Sequence, residues 1–162
     1  DKMVKVHITP EEADLRVERA VQLFKEGYNC SQSVVGAFAD LYGFTQEQAL
    51  LMSASFGGGI GRMRQTCGAA CGMFVLAGLQ SGTTIGSDRE GKSRNYAMVQ
   101  QLAESFKQIN GSIICAELLG LKPNAEITAQ AFERTDSYYK KRPCSEMVRT
   151  AARLFANAIS QD

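Results

Sequence analysis

Residues 9–27 read TPEEADLRVERAVQLFKEG, and their pattern decides the fold class of this chain. Thr9 can cap a helix that begins with Pro10, and Glu12 follows three residues after the cap. Apolar residues then recur every three or four positions, as they do on the buried stripe of an amphipathic helix. Because Gly27 is a typical residue just beyond a helix, we predict a helix from Pro10 to about Gly27.

The same helical spacing continues along the chain, and only residues 3–8 alternate as a strand would. Asn29 with Gln32 and Thr45 with Gln48 repeat the capping signal. We therefore predict one all-α domain over residues 1–162, a single-domain bundle of about seven to eight helices with residues 1–8 as an N-terminal tail. Later helices are expected to begin near residues 30, 45, 67, 89, 112, 124 and 143, the fourth capped by Thr66 and the seventh reaching Lys141.

Composition argues against two classes of partner. The 162 residues carry 18 basic and 17 acidic side chains, a balance that does not favour binding to nucleic acid or to an anionic membrane. The longest nearly uncharged apolar run, residues 67–79, is shorter than the roughly 20 residues that cross a bilayer. We expect no binding to nucleic acid, no membrane insertion and a cytoplasmic location. Because the sequence starts at Asp1 and not at Met, the earlier removal of a signal peptide stays an open alternative.

Cysteine is the one reactive residue type in a suggestive pattern. The predicted helices place every cysteine near a helix N-terminus, where the backbone N–H groups favour a thiolate. In an up-and-down bundle, even-numbered helices start at the same end, so these thiols should gather at one pole. Arg62 and Arg64 precede Cys67, and residues 140–142 precede Cys144 with further positive charge. The five thiols are Cys30, Cys67, Cys71, Cys115 and Cys144.

Other chemistry finds less support in the sequence. The only histidine, His7, precedes the first helix, and no CxxC pair is present, which disfavours a Cys–His dyad and a thioredoxin-type site. The glycine-rich residues 57–61 lack the Lys and Ser or Thr of a phosphate-binding loop. Exchange between distant thiols and ligation of a metal or iron–sulfur cluster therefore stay open. A third interpretation is a helical interaction protein whose thiols are inert core residues.

A family resemblance adds to this pattern. Residues 67–72, CGAACG, match the CGAxxG signature of the C_GCAxxG_C_C family, and residues 29–34 and 56–61 are also similar to it. The resemblance implies a redox function and an association with a transport system. It places the four characteristic cysteines of the family on Cys30, Cys67, Cys115 and Cys144. Cys71 falls on a variable position of the signature.

We therefore expect a redox-active protein that cycles between thiol and disulfide, with the four family cysteines as its catalytic residues. We also expect at least one pair of them to lie at disulfide distance and Cys67 to be the most readily alkylated. In the alternative interpretation the same four residues, with Cys71 as a further candidate, ligate zinc or an iron–sulfur cluster, and the protein is a metal-binding or electron-transfer module. The redox partner protein, the substrate and a homodimeric state are left open by the sequence.

Overall fold

The structure, a computed structural model, describes residues 6–160 apart from the side chain of Lys141. Within that range the chain is all-α, with eight α-helices and no strand. The α-helices are α1 (Pro10–Lys25), α2 (Cys30–Gly36), α3 (Gln46–Ser53), α4 (Gly68–Ser81), α5 (Arg89–Asn110), α6 (Cys115–Leu118), α7 (Asp136–Lys141) and α8 (Cys144–Ile159), and two short 3-10 helices span Ala39–Tyr42 and Ala54–Phe56.

Three of the helix starts are those that the capping signals predict. The Glu12 N–H donates to Thr9 Oγ1 at 3.1 Å, and Pro10 is the first residue of α1. At α2 and α3 the capping residue and the glutamine three positions later exchange both hydrogen bonds of a capping box. These starts are set by local contacts, which is why the sequence alone predicts them.

The core lies among α2, α4 and α8, which pack against one another while α1, α3 and α5 flank them. Residues 67–81 carry no charged side chain, so α4 can be buried on nearly all sides. On α8 the buried residues recur at helical spacing from Met147 to Ile159. Phe155 of α8 meets Phe38 edge to face, with ring centroids 5.2 Å apart.

The start of α4 differs by one residue from the prediction. Cys67, not Thr66, is its N-cap residue, because the ψ of Cys67, 131°, is not helical; its N–H donates to Ile113 O at 2.6 Å. The sixth helix begins at Cys115 rather than near residue 112, since Ile114 is held in extended backbone as its N-cap. Both shifts come from the same contact between distant segments.

The predicted seventh helix is wrong over residues 124–135. This stretch, with residues 122 and 123, is irregular and is here called the strap. Long-range hydrogen bonds hold it: Arg62 donates to Thr128 O at 2.7 Å, and Arg134 donates to Phe24 O and Tyr28 O, both at 2.8 Å. The helix begins only at Asp136, where Thr135 Oγ1 accepts from the Tyr138 N–H.

The N-terminal tail is described only from residue 6, so residues 3–5 of the alternating stretch lie outside the description. Ile8 is buried, and its N–H donates to Ile159 O at 2.9 Å in one isolated parallel bridge. None of the helices described is both long and apolar enough to cross a membrane.

Candidate redox site

Four of the five cysteines line one cavity of about 440 Å³. This volume lies within the range of small-molecule pockets. Each cysteine comes from the start of a different helix, so the convergence that helix parity predicts is present. The space they share is called the cysteine cavity; its thiols are those of Cys30, Cys67, Cys115 and Cys144.

A short antiparallel contact fixes Cys67 beside Cys115. The Cys67 N–H donates to Ile113 O, and the Cys115 N–H donates to Gln65 O, each at 2.6 Å. Thr66 and Ile114 form the bridge between these two bonds. Two cysteines that are 48 positions apart in the chain are thereby held at neighbouring backbone positions.

Cys30 enters the site through the close packing of α2 on α4. A Cβ atom added to Gly68 would lie 2.6 Å from Cys30 Sγ, and one added to Gly72 would lie 3.0 Å from Ser31 O. Gly68 and Gly72 are the two glycines of the CGAxxG signature and stand one helical turn apart. The signature thus has a steric meaning: its glycines let α2 and its thiol approach α4.

Residues 57–65 form a turn in which most residues have left-handed backbone conformation, here called the glycine turn. Five consecutive residues, from Gly58 to Arg62, have φ between 57° and 74°, and Arg64 follows with φ 63°. A left-handed conformation costs a residue other than glycine about 1–2 kcal/mol. At Gly59 a side chain is excluded altogether, because a Cβ there would lie 2.6 Å from Cys115 Cβ.

Burial dominates the electrostatics of three thiols in the cavity. It raises the pKa of Cys67, and the N–H groups of Ala69 and Ala70, which act in the opposite direction, do not compensate. Burial likewise raises the pKa of Cys30, against the opposing Gly58 N–H. Burial and the nearby Cys30 and Cys115 raise the pKa of Cys144 to about 12.

The prediction that Cys67 is a low-pKa thiol is therefore wrong. Cys67 is only 6% exposed, and desolvation of the charged form outweighs the N-terminus of α4. Arg64, which was expected to favour the Cys67 thiolate, contacts a different cysteine: its Nη1 donates to Cys115 Sγ at 3.8 Å. Cys144 is half-buried, and it is the most accessible of the cavity thiols.

Cys71 does not line the cavity. It is buried on α4, and its thiol donates to Thr66 O at 3.7 Å. Burial, with a smaller contribution from Cys30, raises its pKa to about 11. Its thiol therefore contacts a backbone carbonyl group and does not face the space that the other four thiols share.

The cavity also contains arginines that the sequence reasoning did not bring together. Arg62, Arg64, Arg134 and Arg142 all line it, whereas its described lining includes no Asp, Glu or Lys. Arg134 was missed because residues 124–141 were predicted as one helix. The signal that could have located it is Thr135, a capping residue in the middle of that stretch.

The thiols converge without bonding to one another. All five cysteines are free, and no pair stands at disulfide distance, so the predicted disulfide-ready pair is not present. In the part of the chain that is described, no three Cys, His, Asp or Glu side chains are arranged to hold a metal ion. The arrangement does not fit zinc or an iron–sulfur cluster, and no chemistry is assigned through either.

Fold and site together define an all-α protein whose reactive groups are thiols around an arginine-containing cavity. The sequence profile of the family described as "Putative redox-active protein (C_GCAxxG_C_C)" matches residues 28–158. The chain belongs to this family. It is also 27% identical over 158 residues to an uncharacterized protein of Archaeoglobus fulgidus, covering 92% of this chain and 96% of that protein. No solved structure matches the chain significantly.

Proposed function

We propose that the protein is a thiol redox protein that exchanges disulfides at the cysteine cavity. The observation that carries the proposal is the meeting of Cys30, Cys67, Cys115 and Cys144 at one solvent-connected cavity. Cysteines that only filled the core would not be expected to line the same cavity. Family membership, which covers all four residues, supports the same chemistry.

The proposed exchange begins with one thiol. A cavity cysteine loses its proton to solvent, and the resulting thiolate attacks one sulfur of an incoming disulfide. The S–S bond of the incoming molecule breaks, its other half leaves as a thiolate, and a mixed disulfide forms on the protein. A second cavity thiolate then displaces the bound half, so two protein thiols are oxidised while the incoming disulfide is reduced to two thiols.

Free cysteines that are not yet at disulfide distance are compatible with this order of steps. The first attack needs only one accessible thiol, and Cys144 offers the most exposure. Because burial raises its pKa, the thiolate is a small fraction at neutral pH, and the attack becomes faster as pH rises. Formation of the internal disulfide then requires two cavity cysteines to approach, with Cα atoms roughly 4.4–6.8 Å apart. We propose that the chain adjusts at the glycine turn, because this turn contains no regular helix or strand and directly precedes the segment that carries Cys67.

The test is a titration against ratios of reduced to oxidised glutathione, with trapping of free thiols and peptide mapping by mass spectrometry. We expect thiols to be lost reversibly from the four cavity positions and an internal disulfide between two of them at the oxidised end. Cys71→Ala is the matched control, because Cys71 is buried but outside the cavity; it should leave the titration unchanged. Five free thiols under all ratios would overturn the proposal and favour inert thiols.

The metal-binding alternative is tested separately by metal analysis and a visible absorption spectrum after anaerobic purification. We expect no stoichiometric metal, because the described thiols do not form a ligating group of three. Stoichiometric iron with sulfide-to-iron absorption would replace thiol exchange by electron transfer through a cluster.

Two further proposals follow from thiol exchange. To return to the dithiol form, the protein needs a reductant with thiols of its own, such as a partner protein with a dithiol. A compartment that keeps cysteines reduced, such as the cytoplasm, would hold the resting protein in the five-thiol form. A link to a transport system and a homodimeric state are separate proposals that rest on no contact in the structure. Pull-down of the protein while its partner is trapped in a mixed disulfide would identify the redox partner.

A further inference from the structure

Three arginines at the mouth of the cysteine cavity stand close together without a carboxylate partner. Arg62, Arg64 and Arg142 line the cavity, and none of them forms an ion pair with an acidic residue in the range 6–160. The ion pairs that the described chain does form all involve other arginines, on α1 and α8. The positive charge of this cluster is therefore uncompensated within the described protein.

Aromatic and carbonyl contacts hold the cluster in place instead. The centroid of the Phe132 ring lies 4.6 Å from the guanidinium carbon of Arg62 and 4.8 Å from that of Arg142. Stacking on a ring face leaves the N–H edge of a guanidinium able to donate to an anion. Arg62 also donates to Thr128 O and Oγ1, at 2.7 and 2.9 Å.

The backbone strain and charge repulsion in this cluster indicate a binding role. Arg62 and Arg64 adopt left-handed backbone, with φ 62° and 63°, although neither is glycine. The pKa of Arg62 is lowered by burial and by the like charges of Arg64 and Arg142. Strained backbone and repelling charges persist where the surrounding structure enforces them, and they cluster at binding sites.

Arg64 connects the cluster to the thiols. Its guanidinium donates to Cys115 Sγ, so the positive charges and the reactive sulfurs share one cavity. With about 440 Å³ available, a small molecule can place an anionic group on the arginines and a sulfur atom near a cysteine.

From this geometry we infer the substrate class of the proposed exchange: a low-molecular-mass disulfide that carries carboxylate or similar anionic groups. This inference rests on the proposed function. The arginines bind the anionic group and orient the S–S bond toward a cavity thiolate. The attack then proceeds as above, with one S–S bond broken, one mixed disulfide formed and one anionic thiolate released.

Three disulfides of nearly equal size and different charge test the inference: 3,3′-dithiodipropionate, bis(2-hydroxyethyl) disulfide and cystamine. Rates of thiol loss are measured for each and divided by the rates with free cysteine, which removes intrinsic reactivity. We expect the dianion to be favoured over the neutral disulfide by about tenfold and the dication to be slowest, with the preference falling as salt is added. Equal normalised rates for all three would overturn the inference and leave the proposed function standing.

A pair of variants tests whether the arginine cluster causes the preference for the dianionic disulfide. Arg142→Gln should reduce the preference for the dianion about tenfold. Arg89→Gln makes the same change of charge at an exposed position on α5, outside the cavity, and should retain the preference. An equal loss in both variants would attribute the effect to net charge and contradict the inference.

Binding without chemistry separates this inference from the proposed function. Suberate, the dianion in which two methylenes replace the two sulfurs of dithiodipropionate, is measured by calorimetry. We expect the wild type to bind it, and Arg142→Gln to bind it about tenfold more weakly. No binding of suberate would overturn the inference even if the thiols exchange, and binding without any exchange would retain an anion site while rejecting the redox proposal.

Discussion

At the scale of single residues, Gly68 connects the family signature to the site. It follows Cys67 at the first position of α4, and the sulfur of Cys30 and the carbonyl oxygen of Phe56 occupy the space where a side chain would stand. The residue type is dictated by a contact between two segments and not by the helix itself. Gly78, on the same helix, has open space around its Cα.

Gly68→Ala should therefore destabilise the protein by about 1–3 kcal/mol, the usual cost of overpacking a close contact. Gly78→Ala, the matched control, should stabilise it by up to about 1 kcal/mol, because alanine is the better helix former. Urea unfolding of both variants measures the difference. Equal effects of the two substitutions would mean that the approach of Cys30 to α4 is not as close as described.

Cys144 makes a prediction about alkaline pH. Its thiol has a pKa near 12 in the folded chain, against about 8.5 for an ordinary cysteine in the unfolded chain. Between these values the unfolded chain gives up the proton and the folded chain keeps it, so the free energy of unfolding falls as pH rises. Cys144→Ala should show a shallower fall above about pH 8.5 than the wild type. Parallel curves would contradict the raised pKa.

The sequence predicted where the cysteines stand better than how they behave. The position of Cys30 follows from a local capping signal at Asn29, whereas the starts of α4 and α6 are set by the contact between the segments that carry Cys67 and Cys115. Their acidity depends on desolvation by residues far away in the chain, and burial of Cys67 reversed the effect expected from its helix start. Local patterns carry no information on that burial.

At the scale of elements, the strap is the feature that the sequence did not predict. Residues 122–135 contain no glycine and only one proline, so helical spacing alone favoured a helix. The hydrogen bonds that Arg62 donates to Thr128 and that Arg134 donates to the end of α1 outweigh that preference. The helix starts at residues 10, 30 and 46 were predicted correctly because their capping partners lie within three residues.

Phe132→Ala should open the mouth of the cavity. The ring is 51% exposed, so its loss should cost no more than about 1 kcal/mol of stability while it frees the two guanidinium groups. We expect faster labelling of Cys144 by iodoacetamide, measured by mass spectrometry. Ile127→Ala is the control on the same strap, 56% exposed and outside the cavity lining. Unchanged labelling in Phe132→Ala would show that the strap does not limit access.

At the scale of the whole molecule, the fold brings distant cysteines to one place. Helix parity predicted this convergence, because the starts of even-numbered helices meet at one end of a bundle. The structure adds two contacts that helix parity does not predict. One is the close packing of α2 against α4 at Gly68, and the other is the antiparallel contact between the segments that carry Cys67 and Cys115. The arginine cluster is a product of the same folding, since the glycine turn supplies Arg62 and Arg64 and the junction between α7 and α8 supplies Arg142.

The most direct test of the account is the reactivity of the remaining thiols in Cys67→Ala. After mild oxidation, each cysteine is labelled and quantified in the wild type, in Cys67→Ala and in the control Cys71→Ala. If the cavity thiols act as one redox unit, removal of Cys67 changes the oxidation of at least one of Cys30, Cys115 and Cys144, while Cys71→Ala changes none. Identical oxidation of those three thiols in all proteins would contradict the account.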